Sequence, residues 1–281
     1  MRLLALSDVH VNHAANLAAL AALPDHPDDT LILAGDVADR IDDVARALDV
    51  LGPKFRRLLW VPGNHELWTV EPDGLRGEAR YSALVDVCRV RGVLTPEDPY
   101  LPWPTGDGRK VVLCPLFLLY DYSFAPDGPD TAVAWAAEAG IRCVDEQLLH
   151  PDPYPTRAAW CAARLAATAA RLDALPADTR TVLIAHWPLR RDLVRLFRIP
   201  RFIPWCGTLA TEDWHVRYRA DCVVTGHLHM RATDWRDGVR FEEVSLGYPR
   251  HWTPERGAAA YLRPILPAPP PTDPAVTVWH R

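Results

Sequence analysis

The chain has 281 residues, 49% hydrophobic and 24% charged, which is enough to bury a sizeable core. A formal net charge of −5 argues against a general nucleic-acid binder, which normally carries a basic excess. The apolar start is too short for a signal peptide and no later run approaches the roughly 20 residues that cross a bilayer, so a soluble, cytoplasmic protein is expected.

Leu3–Leu6 is a short apolar run that predicts a buried strand carrying Asp8 and His10 at its end. Residues 16–23 are rich in Ala and Leu and predict a helix stopped by Pro24. Residues 30–34 predict a second buried strand, delivering Gly35 and Asp36. A helix over 42–51, closed by Gly52-Pro53, leads to a third strand over 58–61 that delivers Gly63, Asn64 and His65. Strands alternating with helices, with polar residues where each strand ends, form the pattern of an α/β protein. Its site lies at the carboxyl edge of a sheet.

Residues 77–90 predict another helix, and 110–119 a strand through Cys114-Pro115. Proline lacks the ladder N–H, so that strand is an edge or ends there. Residues 101–104 and 120–130 read as Pro/aromatic loops. Pro155 and Thr156 open a long helix with Arg157, Arg164 and Arg171 on one stripe. Two readings of that stripe stay open, a solvated face and a docking surface for an acidic partner. Residues 181–185 predict a strand delivering His186, and 187–218 a long irregular segment containing Arg190, Arg191, Arg195, Arg198 and Arg201. Residues 221–225 predict a strand delivering Gly226-His227-Leu228-His229, and 238–246 a late strand. From Thr253 onward the chain is Pro/Ala-rich and suggests no fold, giving a domain over 1–252 and a tail over 253–281. The six cysteines are scattered with no C-x-x-C pair and read as reduced, mostly buried thiols.

The strand-end residues are metal-competent. Asp8 and His10 are two apart, so on a regular strand they share a face and can grip one ion. Gly35 lets the backbone turn tightly and aim Asp36 back over the sheet, where a carboxylate can bridge two cations. Asn64 offers a neutral carbonyl oxygen. His186, His227 and His229 add imidazoles, and the last two again fit one face of an extended segment. Nitrogen and oxygen donors without thiolate suit Mn²⁺, Fe²⁺/Fe³⁺ or Zn²⁺ rather than Ca²⁺ or a structural Cys-zinc. Two such ions roughly 3.5–4 Å apart can hold a bridging hydroxide and clamp a phosphoryl group. His65, beside a ligand, is placed to protonate a leaving oxygen. Any one block alone is more simply a turn or a polar loop. All five in this order, each ending an apolar run, read as a two-metal hydrolytic site.

From Leu3 to Arg250 these blocks resemble the calcineurin-like metallophosphoesterases. The resemblance implies a four-layer α/β/β/α sandwich of two mixed sheets with a binuclear centre. It puts one ion on Asp8, His10, Asp36 and His229, and the second on Asp36, Asn64, His186 and His227, with His65 as the acid. A narrower resemblance lies outside the metal blocks. Trp60-Val-Pro-Gly-Asn-His-Glu-Leu-Trp68, Phe117-Leu-Leu-Tyr-Asp-Tyr-Ser-Phe124 and Pro153-Tyr-Pro-Thr-Arg157 look like one actinobacterial branch. So do Trp205-Cys-Gly-Thr208, Asp213-Trp-His-Val-Arg-Tyr218 and Gly238-Val-Arg-Phe-Glu-Glu-Val-Ser-Leu-Gly-Tyr-Pro-Arg250.

That branch contains 4′-phosphopantetheinyl hydrolases. The resemblance therefore implies cleavage of the phosphodiester linking 4′-phosphopantetheine to acyl or peptidyl carrier proteins. The chain departs from the branch at His251, where an acidic residue is usual, at Met230-Arg231, and in a shorter, proline-rich tail; all three bear on substrate choice. The arginines between 190 and 201 then suit an acidic carrier protein or internal pairing. Trp68, Tyr120, Tyr122 and Trp205 suit a pantetheine channel or core packing. The same ligand set serves small-molecule phosphomonoesterases and nucleotide phosphodiesterases, and the same fold serves non-catalytic binding scaffolds, so these alternatives stay open. No nucleic-acid or membrane partner is expected.

Overall fold

The apolar runs form strands whose residues alternate between two buried faces. In β1 (Leu3–Leu6), Leu4 and Leu6 enter a helix-covered core, while Leu3 and Ala5 face a second sheet. In β2 (His26–Leu33) and β3 (Phe55–Trp60), Leu31, Leu33, Leu58 and Trp60 take the helix side, and Ile32 and Leu59 the inner side. Covered on both faces, such strands read as continuous hydrophobic runs rather than as alternation.

The computed structural model describes residues 1–70 and 74–280. The remaining strands are β4 (Leu101–Trp103), β5 (Val111–Pro115), β6 (Arg180–Ile184), β7 (Ala220–Thr225), β8 (Ala232–Arg236), β9 (Val239–Glu243), β10 (Arg263–Leu266) and β11 (Val278–Trp279). One sheet has the order β10-β1-β2-β3, the other β11-β8-β9-β7-β6-β5-β4. Each mixes parallel and antiparallel pairs. Val182, Ile184 and Val224 of the second sheet meet the inner residues of the first, Ile265 of β10 among them, in the core between the two. The helices Ala14–Ala21, Ile41–Leu51 and Gly77–Val90 cover the first sheet. Leu172 of the helix Arg157–Asp173 packs with Trp214 on Leu183 and Val223, on the outer face of the second. This is the four-layer sandwich of two mixed sheets.

Three local expectations change. Pro115 ends β5, but the edge strand beyond it, β4, lies in a stretch expected to be a loop. The proline-rich segment, to which the sequence suggested no fold, adds a strand to each sheet: β10 beside β1 and β11 beside β8. These strands are four and two residues long, too short for periodicity to register. The arginine stripe is neither a solvated face nor a docking surface. Arg157 donates to the carbonyls of Leu149 and Asp145, Arg164 pairs with Glu97 and lies over Phe117, and Arg171 donates to the carbonyls of Pro96 and Asp98. The stripe fastens its helix to the rest of the fold. All six cysteines are buried and free. No helix among the described residues is long and apolar enough to cross a membrane.

Candidate metal centre

Strands from both sheets end on one edge. Asp8 follows β1, Asp36 follows β2, Asn64 follows β3, His186 follows β6 and His227 follows β7. The structure brings all the sequence-predicted site residues together there, but not by the expected route. β1 stops at Leu6, and the backbone at Asp8 and His10 takes φ of 51° and 39°. Asp36 (53°), His227 (73°) and His229 (53°) do the same. The two pairs therefore converge through left-handed turns, not by sharing a strand face. Left-handed backbone costs a non-glycine residue about 1–3 kcal/mol, and such residues cluster where function overrides local preference. Gly35, at φ of 87°, is held to glycine for a further reason: a Cβ there would lie 2.5 Å from His186 Nδ1.

The donor atoms face one another at short range. His229 Nε2 lies 2.9 Å from Asp8 Oδ1 and 3.4 Å from His10 Nε2. His186 Nε2 lies 3.2 Å from His227 Nδ1 and 3.5 Å from Asp36 Oδ1. Asp8, His10 and His229 form one group and Asp36, His186 and His227 another, while His10, Asp36 and His65 form a third that shares members with both. Neighbouring donors set these orientations. Asp8 Oδ2 accepts from Ser7 Oγ at 2.5 Å, Ser245 Oγ at 2.8 Å and the His227 amide at 3.0 Å, which leaves Oδ1 for the cluster. His186 Nδ1 is tied to the Ala34 carbonyl at 2.9 Å, which leaves Nε2 facing inward.

Charge and unmet bonding show that this cluster fits cations. Burial, then the carboxylates of Asp8 and Glu66, push the Asp36 carboxyl well above its ordinary range. Burial also holds His10 and His227 well below theirs, so their rings are neutral and offer lone pairs. The Asn64 amide nitrogen donates to Asp145 at 3.0 Å, while its carbonyl oxygen is buried with no partner. Crowded carboxylates, neutral imidazoles and an orphaned carbonyl are costly in a low-dielectric pocket unless positive ions lie among them.

Three acids that sequence reasoning did not single out organise the site. Asp39 Oδ1 lies 2.8 Å from His65 Nδ1, so His65 presents Nε2 toward Asp36, 3.8 Å from its Oδ2. Glu66 accepts from the amides of Asp36, Val37 and Gly63 at 2.9, 2.8 and 2.9 Å, and so fixes the loop after β2 to the loop after β3. Asp145 is fully buried and accepts from Asn64 Nδ2, Trp68 Nε1 at 2.7 Å and the Tyr120 hydroxyl at 2.9 Å. Glu66 and Asp39 sit beside predicted ligands and were findable from the sequence. Asp145 is 81 residues from Asn64 and has no local signal. Asp145→Ala strands three buried donors, so a loss of about 3 kcal/mol or more is expected, read as a lower urea midpoint.

Trp68, Tyr120, Tyr122 and Trp205 are not a channel lining; they donate to Asp145 or Glu146 and pack behind the site. An open cleft of about 660 Å³ lies over Asp36, Asn64, His65, His227 and His229, and its aromatic walls are Phe197, Phe202, Tyr248 and Trp279. Trp279 belongs to β11, so the proline-rich segment forms part of the cleft. Of the arginines after His186, Arg190 pairs with Asp192, Arg195 with Asp234 and Arg201 with Glu138. Arg198 is exposed on the cleft wall with no carboxylate partner among the described residues.

The sequence profile described as calcineurin-like phosphoesterase matches residues 1–231. The chain is 50% identical over 271 residues to the acyl-carrier-protein phosphodiesterase PptH of Mycobacterium tuberculosis, covering 94% of this chain and 83% of that protein. The crystal structure of phosphopantetheinyl hydrolase (PptH) from Mycobacterium tuberculosis matches with a TM-score of 0.90 at 47% identity, covering 97% of this chain and 98% of that one. The crystal structure of TT1561 of Thermus thermophilus matches with a TM-score of 0.47 at 15% identity, over 87% and 89% of the two chains.

Proposed function

The chain belongs to the calcineurin-like phosphoesterase family, and on that premise we propose that this metal-dependent phosphoesterase releases 4′-phosphopantetheine from acyl or peptidyl carrier proteins. The observation that carries the reading is 50% identity, over 94% of the chain, to a phosphodiesterase named for acyl carrier protein. The rim of the cleft supports it. Arg198 and Arg250 line the rim without carboxylate partners among the described residues, beside the exposed side chains of Phe197 and Trp279. Cations interleaved with apolar groups suit an acidic, partly apolar protein surface.

We assign Asp8, His10, Asp36 and His229 to one ion, and Asp36, Asn64, His186 and His227 to the second. When bound, the pair supplies positive charge to the phosphoryl oxygens and acidifies the attacking water. The protein's own groups do the rest. Asp145 keeps the Asn64 carbonyl turned away from its own hydrogen bond, and Glu66 holds the Asp36 loop against the Asn64 loop. Asp39 fixes the His65 ring by its Nδ1, so Nε2 faces the cluster. Water adds to phosphorus and gives up a proton to solvent, the P–O bond to the carrier breaks, the departing oxygen takes a proton from His65 Nε2, and solvent returns a proton to His65.

The test is intact-mass spectrometry of a holo-acyl carrier protein incubated with the Mn²⁺-loaded enzyme, with Asp36→Asn as control. Conversion to the apo mass, absent in the control, is expected. Unchanged holo protein alongside cleavage of an aryl phosphate would overturn the carrier-protein assignment and favour a small phosphoester.

A further inference from the structure

We propose that His251 is a positioning residue for the metal centre: its Nδ1 accepts the outer ring proton of His229 and so fixes which nitrogen of His229 faces the ion. The inference rests on the ligand assignment above and adds to it a residue outside the ligand set.

His229 points its Nε2 at Asp8 and His10. A neutral imidazole that offers the Nε2 lone pair carries its proton on Nδ1, and that proton needs an acceptor. His186 meets the equivalent need with the Ala34 carbonyl. For His229 the atom within reach is another imidazole nitrogen, His251 Nδ1, at 3.0 Å. The turn after β9 holds His251 in that place. Arg231 Nη2 donates to the His251 carbonyl at 2.6 Å, and the His251 amide donates to the Tyr248 carbonyl at 2.7 Å. Gly247 completes the arrangement, because a Cβ on it would lie 2.8 Å from His251 Nδ1 and push the ring away.

The donor count has a consequence at the cleft. In this structure Arg250 Nε donates to His251 Nε2 at 3.2 Å; with His251 Nδ1 accepting from His229, its own proton sits on that Nε2 instead. The guanidinium is a donor only, and two donors do not bond. In the ion-loaded protein Arg250 therefore gives up His251 and keeps its place over the Tyr248 ring, facing the cleft. One residue orients a ligand and frees a cation for the substrate.

The test is calorimetric titration of Mn²⁺ into the metal-stripped protein, with circular dichroism to confirm folding. His229→Ala is the reference and must weaken one of the two ions. His251→Ala is expected to weaken that same ion by about 10–100-fold and to spare the other. His251→Asn, whose Oδ1 can stand where Nδ1 stood, is expected to recover most of the loss. If His229→Ala weakens an ion and His251→Ala binds both normally, the proposal falls while the ligand assignment stands. A folded His251→Asn as weak as His251→Ala also overturns it. If His229→Ala keeps both ions, the ligand assignment falls and takes the proposal with it.

Discussion

Asp36→Asn is expected to abolish metal loading and turnover together while leaving the fold intact. Asp36 stands between the two donor groups, with His186 on one side and His10 and His65 on the other. One of its oxygens also accepts the His65 amide at 3.0 Å. Asparagine keeps the shape and that acceptor but removes the charge two ions would share. Without metal the exchange relieves strain, because burial and the Asp8 and Glu66 carboxylates already disfavour a charged Asp36. The metal-free variant is therefore expected to be as stable as the wild type or more so, the sign opposite to that of Asp145→Ala. Losing several kcal/mol of charge stabilisation at the phosphoryl group corresponds to about 10³-fold or more in kcat. Elemental analysis beside a urea melt separates the effects. Normal metal content in the variant would contradict the bridging assignment.

The legible parts of this fold are those where one physical demand acts on a contiguous run. β1 and the C-terminal parts of β2, β3, β6 and β7 are apolar because both faces are covered there, and each run stops where a polar side chain reaches the edge. Order and residue type therefore placed Asp8, Asp36, Asn64, His186 and His227 at that edge. Their local geometry was not readable, because left-handed backbone at Asp8 and His10 is imposed by the surrounding turns and runs against the residues' own preference. Partners distant in the chain were equally silent. Asp145 is an ordinary acid until Asn64, Trp68 and Tyr120 converge on it, and Arg195 looks like a free cation until β8 supplies Asp234. Composition was silent at the C-terminal end. Prolines there suggested no fold, yet pairing with β1 and β8 gives the segment two short strands and puts Trp279 into the cleft.

Replacing His65 with alanine is expected to leave both ions bound and to slow an alkyl phosphodiester far more than a p-nitrophenyl one. The geometry leaves His65 two roles. It lies within ligand range of His10 and Asp36, yet its Nδ1 is engaged by Asp39 and its Nε2 stands 3.8 Å from Asp36 Oδ2. As a proton donor it matters in proportion to the basicity of the departing oxygen. An alkoxide needs the proton in the transition state, where a positioned acid contributes about 10²–10⁴-fold, while nitrophenolate leaves without it. Asp39→Asn should reproduce part of the same selectivity, since it frees the ring that Asp39 orients. A ligand behaves differently: its removal lowers metal content and slows both esters alike. Metal content and the alkyl-to-aryl rate ratio, measured on one preparation, therefore distinguish the two roles. Full occupancy with a collapsed ratio makes His65 the acid; equal losses with a missing ion make it an eighth ligand.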